Sequence, residues 1–350
     1  MAENEKKPSV AGIPVAVLRW GFLVFAAASV VGFLATFLIA QDWGESLRGF
    51  TRFSLIWALP AAGLTLADWL GGALRIKALL GPHENEIPFI RCMQINVAST
   101  AMAYLTPSGA GGGPATIYGL SRHGLTFGRA VALNAVSFLS NVIFLSIAGL
   151  IAWASGLGGE IAEVRLPVAN LSANALFKWS AWAFATGVAL VVVLTVLPGL
   201  ARALIRRVLG PEHPRIERVL HHFDELHEGL TTYWRSGKLL FLAAILTGFI
   251  HFGARFTLGW VVLRGFVPDA PFVQILLLHI LIQYLLFVMP TPSGAGIGEV
   301  IVAVVMSPFL APGLLVPYIA VWRVFLTYSS VSTGSGVMLS WLGAEALTDR

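Results

Sequence analysis

Apolar runs long enough to cross a bilayer recur along the chain, divided by short polar stretches. A spanning helix needs about 20 predominantly apolar residues. Ala16–Ala40, Phe53–Leu74, Phe127–Ala154, Ala173–Leu197, Leu239–Leu263 and Gly313–Trp341 meet that length. The first run follows Lys6, Lys7 and Arg19, exceeds a signal-peptide core and lacks a clean small-x-small cleavage site, so it reads as a retained anchor. Two further segments, Ile87–Tyr104 and Phe272–Met289, each run into a glycine-rich break, and Ile297–Leu310 follows the second. In the polar stretch 199–237, Ile216, Val219, Leu220, Phe223, Leu226 and Leu230 recur at helical spacing. That pattern predicts an amphipathic cytoplasmic connection lying along the membrane.

Composition sharpens this picture. Of the 350 residues, 57% are hydrophobic and only 12% charged, against roughly 25% charged in an average soluble domain. A soluble enzyme, a disordered chain and a nucleic-acid binder are excluded. The net charge of +5 is a small excess on few charges and implies no nucleic-acid partner. Cys92 is the only cysteine, so neither an internal disulfide nor a Cys-based zinc site is expected. His279 and Gln283 stand four apart with no further ligand at suitable spacing, so we expect no metal and no cofactor. The longest water-facing stretch, Gly199–Gly237, is too short for an enzyme domain. The expectation is one transmembrane domain over residues 1–350, and not an enzyme.

Lys and Arg counts orient it. Placing the loop with Arg202, Arg206, Arg207, Arg215, Arg218, Arg235 and Lys238 in the cytoplasm gives 16 Lys/Arg inside and 4 outside. Both termini then face the cytoplasm of a cell inner (plasma) membrane protein. Ile87–Tyr104 must return to the cytoplasmic side and Phe272–Met289 to the outside. We therefore expect an all-α polytopic membrane protein with six full spans plus two re-entrant hairpins.

The hairpin breaks are a duplication. Thr106-Pro107-Ser108-Gly109-Ala110-Gly111 recurs 185 residues later as Thr291-Pro292-Ser293-Gly294-Ala295-Gly296. A span precedes and follows each copy, defining repeat units of about 52–155 and 238–341 that begin on opposite sides. Inverted repeats with broken helices at mid-membrane mark secondary transporters. Pro107 and Pro292 end the preceding helices. The backbone of Gly109–Gly113 and Gly294–Gly298, the positive ends of the following half-helices, and the hydroxyls of Thr106, Ser108, Thr291 and Ser293 form a candidate anion site. Its glycines are Gly109, Gly111, Gly112, Gly113, Gly294, Gly296 and Gly298. A single copy would be no more than a packing turn; two matched copies favour a substrate site.

At these residues the chain resembles a known family. Thr106–Pro114 followed by Ile117-Tyr118-Gly119-Leu120 and Gly124 is similar to the first motif of the lysylphosphatidylglycerol synthase transmembrane (flippase-like) family. Pro290–Glu299 is similar to its second motif, a Pro-Gly-Gly-x-Gly-x-x-Glu pattern, and Arg323 matches an arginine of the last span. The resemblance covers nearly the whole chain. It implies a polytopic protein that moves a phospholipid or lipid-linked anion between leaflets, without the cytosolic aminoacyl-transfer domain of the full-length resistance proteins. Some relatives carry a charge just after the first motif, where this chain has Ala115 and Thr116.

Charges at membrane depth are functional-site hypotheses. Arg255, with His251 at i−4, could grip a phosphate bidentately or serve as a structural partner for Glu299. Glu299, near a helix start, reads first as a cap and partner for Arg323. Arg75 and Arg264 sit at span ends, where most arginines only snorkel. Asp68, Asn96, Asn134, Asn141, His279 and Gln283 are explained by interhelical hydrogen bonds. The expected partner is a membrane lipid with an anionic headgroup, and a homo-oligomer is compatible with the sequence. Two rivals share much of this pattern. A transporter of a small soluble anion would have a cavity sealed from lipid. A non-transporting scaffold for a lipid-modifying enzyme would have no polar cavity.

Overall fold

The computed structural model describes residues 9–10, 13–40, 43–81, 87–154, 197–210, 237–287, 289 and 291–348, with scattered positions within 182–196 and 216–235. Apart from a two-residue strand pair, Ser9–Val10 with Ile13–Pro14, the described residues are helical or in connections. Five helical stretches are long and apolar enough to cross a membrane: Trp20–Ala40, Leu55–Leu80, Phe127–Ile151, Lys238–Arg264 and Pro312–Trp341. Most of the sixth expected span, Ala173–Leu197, lies outside the described residues, as do Leu226 and Leu230 of the amphipathic connection.

The first helix, α1 (Val15–Ala40), is followed by the short α2 (Trp43–Gly49) and by α3 (Ala58–Leu80). Next come α4 (Phe89–Leu105) and α5 (Gly112–Arg122), then α6 (Phe127–Ala154). After α7 (Pro198–Leu209) the second half repeats the plan: α8 (Lys238–Arg264), α9 (Phe272–Phe287), α10 (Ile297–Met306) and α11 (Pro312–Arg323). A π-helical turn, Val324–Tyr328, leads into α12 (Ser329–Thr348). Gly112 and Ile297 start α5 and α10, and Phe127 and Pro312 start α6 and α11; each pair is 185 residues apart, the spacing of the two hexapeptides.

Proline chemistry sets the first break, whereas α9 ends at Phe287, five residues before Pro292, and not at that proline as expected. Thr106, which precedes Pro107, is held extended at φ −117°, ψ 146°, and α4 stops there. At 17, 11, 16 and 10 residues, α4, α5, α9 and α10 are shorter than the roughly 20 residues of a full crossing. They lie in side-by-side pairs. Ser99 Oγ donates to the Gly112 carbonyl at 2.8 Å and accepts from Thr116 Oγ1 at 2.7 Å. Leu286 of α9 closes on Gly294 and Gly298.

Between apolar helices in lipid there is no hydrophobic drive to associate, so close backbone approach at small residues does that work. The central pair is α3 with α8, where a Cβ at Gly71 would come within 2.5 Å of the His251 nitrogen. Gly334 of α12 meets the Val97 carbonyl of α4 in the same way. One buried cluster joins α8, α9, α10 and α11 through Leu258, Val262, Ile282, Val302 and Ile319. A second joins α3 to α4, α5, α6 and α12 through Ile76, Ile95, Leu120, Leu133 and Trp341.

The expected anchor α1 does more than anchor. It crosses both breaks, with Gly21 against the Leu105 carbonyl and Gly32 against the Gly296 carbonyl and Glu299 Oε2. Its other face presents Leu23, Val31 and Leu38, as a lipid-facing surface would. A side chain at Gly32 would lie 2.7 Å from the Gly296 oxygen and 2.8 Å from Glu299. Gly32→Val should therefore cost about 1–3 kcal/mol, whereas Gly63→Ala, with nothing within 4 Å, should be neutral or mildly stabilising. Thermal unfolding of both variants in detergent tests this; equal melting temperatures would show that α1 does not clamp the second break.

Candidate functional site

The two motif copies fold alike and meet. Pro107 and Pro292 form an antiparallel bridge. Ser108 and Ser293 both adopt positive φ, 52° and 53°, followed by Gly109 and Gly294 at 71° and 64°. A serine at positive φ is uncommon, and here it occurs at matched positions of both turns. The turn bonds match as well: Gly109 N to Thr106 O (3.2 Å) and Gly294 N to Thr291 O (3.1 Å), then Ala110 N to Pro107 O (3.1 Å) and Ala295 N to Pro292 O (2.8 Å).

The copies differ at the next amide. Gly111 N donates to Thr106 Oγ1 at 2.7 Å, and Gly296 N donates to Glu299 Oε2 at 2.7 Å. Gly112 N and Gly298 N bond to Gly109 O and Gly294 O. Most amides expected to cradle a phosphate thus already have protein acceptors. Gly111 packs on Thr106 and Met102, Gly296 on Ala28, and Gly298 on Arg323 and Leu286. Those close approaches explain the glycines by packing. Anion binding therefore falls to side chains.

Those side chains surround a cavity of about 330 Å³ between the two motifs. Of the expected site residues, Ser108, Gly109, Gly112, Gly113, Thr291, Ser293, Gly294, Arg255 and Arg323 line it; Thr106, Gly111, Gly296, Gly298 and Glu299 do not. Glu299, fully buried, pairs with Arg323 Nε at 3.0 Å. Arg323 Nη1 also donates to the Ser293 carbonyl at 3.0 Å and reaches Thr327 of the π-helical turn at 3.4 Å. This network ties α10 to α11.

Arg255 does not pair with Glu299. Its Nε donates to Asp68 Oδ1 at 2.8 Å, and His251 Nδ1 lies 2.7 Å from the same oxygen and 3.0 Å from the Asp68 carbonyl. With two acceptors facing it, His251 Nδ1 carries the hydrogen. Arg75 is not a snorkelling residue at a span end. The helix runs on to Leu80, and Arg75 is 6% exposed, lines the cavity and donates to the Asn141 carboxamide oxygen. No carboxylate pairs with it among the described residues. Asp68, Arg75 and His251 thus form a constellation with Arg255 that spacing along one helix does not reveal, because it needs the α3–α8 contact. The sequence signals only the pairs within each helix, Asp68 with Arg75 at i, i+7 and His251 with Arg255 at i, i+4.

At the cavity's side, Phe138 of α6 and Phe287 of α9 line it while remaining 54% and 39% exposed. His279 is elsewhere, bonded to the Tyr318 hydroxyl at 2.7 Å as an interhelical lock.

The model of the lysylphosphatidylglycerol synthase TM region matches residues 20–334. The chain belongs to this family. The match takes in α1 from Trp20 onward and both motifs, so Gly21 and Gly32 of that helix and the paired turns fall within the family's region. This lysylphosphatidylglycerol synthase-type membrane region is also similar to a UPF0104 membrane protein of Archaeoglobus fulgidus, 24% identical over 280 residues that cover 78% of this chain and 82% of that one.

Removing one partner of a buried ion pair leaves the other charge uncompensated, at a cost of about 3–5 kcal/mol. Glu299→Gln should lower stability by that order, and Glu299→Gln with Arg323→Gln should recover part of the loss. Additive losses across this cycle, measured by unfolding in detergent, would mean that the two side chains do not stabilise one another.

Proposed function

We propose that this protein is a flippase-like translocator, not an enzyme, that carries an anionic phospholipid or lipid-linked anion between the leaflets of the plasma membrane. The observation that carries the reading is the cavity itself. Three arginines face it, neither Asp68 nor Glu299 does, and exposed Phe138 and Phe287 stand at its rim. Guanidinium groups suit a phosphate, and an apolar exposed rim lets acyl chains remain in the bilayer while the headgroup enters. A polar cavity speaks against an inert scaffold, and a lateral rim of phenylalanine against a carrier sealed from lipid.

The proposed architecture is six crossings with both termini cytoplasmic and two re-entrant hairpins, α4–α5 and α9–α10, related as an inverted repeat. Matched turn geometry and element starts 185 residues apart support it. Rocking of one unit against the other about the Pro107–Pro292 contact would expose the headgroup to either side in turn. Cys92 is buried, so introduced cysteines can be read directly. Cysteines placed at the exposed Arg91 and Thr126 should label from one face of sealed vesicles, and at Asp269 and Ala311 from the opposite face. Labelling of Arg91→Cys and Thr126→Cys from different sides would sink the re-entrant hairpin.

Transport is tested in proteoliposomes carrying acyl-labelled phosphatidylglycerol. The protein should speed its movement between leaflets over protein-free vesicles. Arg255→Gln removes a charge-assisted hydrogen bond worth roughly 1.5–3 kcal/mol, so the rate should fall by about 10–100-fold. No acceleration over empty vesicles, or uptake of free glycerol 3-phosphate in its place, would refute lipid translocation.

A further inference from the structure

The charges and unbonded polar groups around the cavity are unevenly placed, and that unevenness bears on the headgroup. Among the described residues Arg75, Arg255 and Arg323 line it, and no carboxylate does. Asp68 is turned to His251 and Arg255, and Glu299 to Arg323 and Gly296 N. Counting these carboxylates, the described site carries three guanidinium groups and two carboxylates. Arg75 supplies the unmatched charge. Three buried nitrogens on these side chains, Arg75 Nε, Arg323 Nε and Arg323 Nη2, have no hydrogen-bond acceptor among the described residues, although Arg323 Nε stands 3.0 Å from Glu299 Oε1 as an ion pair. Arg75 and Arg323 are 6% and 1% exposed. Buried donors of this kind call for an acceptor, and a bound anion would provide it.

The remaining wall mixes apolar groups, among them Ile76, Ala103, Leu286 and Met289, with uncharged polar ones. Ser108, Asn134, Ser137 and Gln283 line the cavity with side chains that make no hydrogen bond among the described residues. Hydroxyls and carboxamides both donate and accept, which matches hydroxyl groups on a ligand. No free carboxylate awaits an ammonium group among the described residues. The face of Tyr104, the one tyrosine ring lining the cavity, already has the Arg255 guanidinium 6.0 Å from its centroid. An ammonium would meet three like charges, and among the described residues the two nearby carboxylates are already turned to Arg255 and Arg323. A volume of about 330 Å³ is at the small end of the range for ligand sites, roughly 300–1,000 Å³, and suits a compact headgroup over an oligosaccharide.

We infer that the cavity selects a singly charged polyol phosphodiester headgroup, with the phosphate at Arg75 and the hydroxyls on the Ser108–Asn134–Ser137–Gln283 wall, and rejects headgroups bearing an amine. This rests on the translocator reading and narrows it. It also sets this chain apart from lysylphosphatidylglycerol, the cationic lipid in the family's name. An unpaired charge is one of the repulsive elements by which a site discriminates between partners.

The test is competition. The full chain is incubated with equal amounts of phosphatidylglycerol, phosphatidylethanolamine, lysylphosphatidylglycerol and phosphatidylmethanol of the same acyl chains. Occupancy is read by native mass spectrometry, and translocation of each is read in proteoliposomes. Phosphatidylglycerol should exceed both amine lipids by about tenfold, and should exceed phosphatidylmethanol, which has the same charge without hydroxyls. Arg75→Gln should erase the discrimination against amines, and Arg75→Lys should retain it. Asn134→Ala with Ser137→Ala should bring phosphatidylglycerol down to the level of phosphatidylmethanol. Amine lipids bound as well as phosphatidylglycerol would overturn the inference. Translocation without headgroup preference would do so while leaving the translocator intact. Absence of both binding and translocation would overturn the two together.

Discussion

α4 and α9 each stop short of a motif proline, Pro107 and Pro292, and the backbone groups stranded at those breaks are satisfied by the protein itself. The turns that follow bond their own amides back to Thr106, Pro107, Thr291 and Pro292, and the two turns then bridge each other. Positive φ at Ser108 and Ser293 is accepted as part of that closure. α1 lies across the outside of both turns, with glycines at its two points of contact. Thr65 Oγ1 reaches the Phe325 carbonyl at 3.0 Å within the π-helical turn, and Trp69 Nε1 reaches Ser330 Oγ at 3.0 Å, so α3 braces that irregular stretch of helix as well.

Because protein groups satisfy the turns, the chemistry of the centre moves to side chains. The two ion pairs then have different tasks. Glu299 and Arg323 are sealed at 0% and 1% exposure, and their geometry fixes α10 against α11. Asp68 holds Arg255 by Nε alone and leaves the rest of its guanidinium at the cavity wall. His251 steadies the same carboxylate, so Arg255 is oriented by a group outside the cavity. Such outer support is what fixes a charged ligand-binding side chain in place.

Much of the scaffold was legible in the sequence because its signals are local: apolar length gave the five described spans, the glycine-rich motifs the breaks, and the repeated hexapeptide the pairing of the two turns. The centre was legible only in part. Apolar patterning falls off at Leu74, so Arg75 read as a span end, yet burial against Asn141 carries the helix and its charge further into the protein. Asp68 and Arg255 are 187 residues apart, and no periodicity along either helix places them together. The glycines of the motifs fit a phosphate cradle and a packing surface equally well by sequence. Distances separate the two, since a Cβ at Gly298 would meet Arg323 Nη2 at 2.7 Å rather than open space.

The repeat also diverges where it matters for function. At the 185-residue offset, Glu299 corresponds to Pro114 and Arg323 to Phe138. The second half therefore builds a locked ion pair at the positions where the first half has an uncharged helix start and an exposed phenylalanine on the cavity rim. One duplicated backbone thus supports two unlike faces. A charge network ties the second motif rigidly to its following helix. The first motif is secured instead by the hydroxyl contacts of Thr106, Ser99 and Thr116, and each neutral hydrogen bond contributes only about 0.5–1.5 kcal/mol net. If one unit moves against the other, this difference in bonding makes the first hairpin the compliant side and the second the fixed one, with the Phe138 opening on the side that gives.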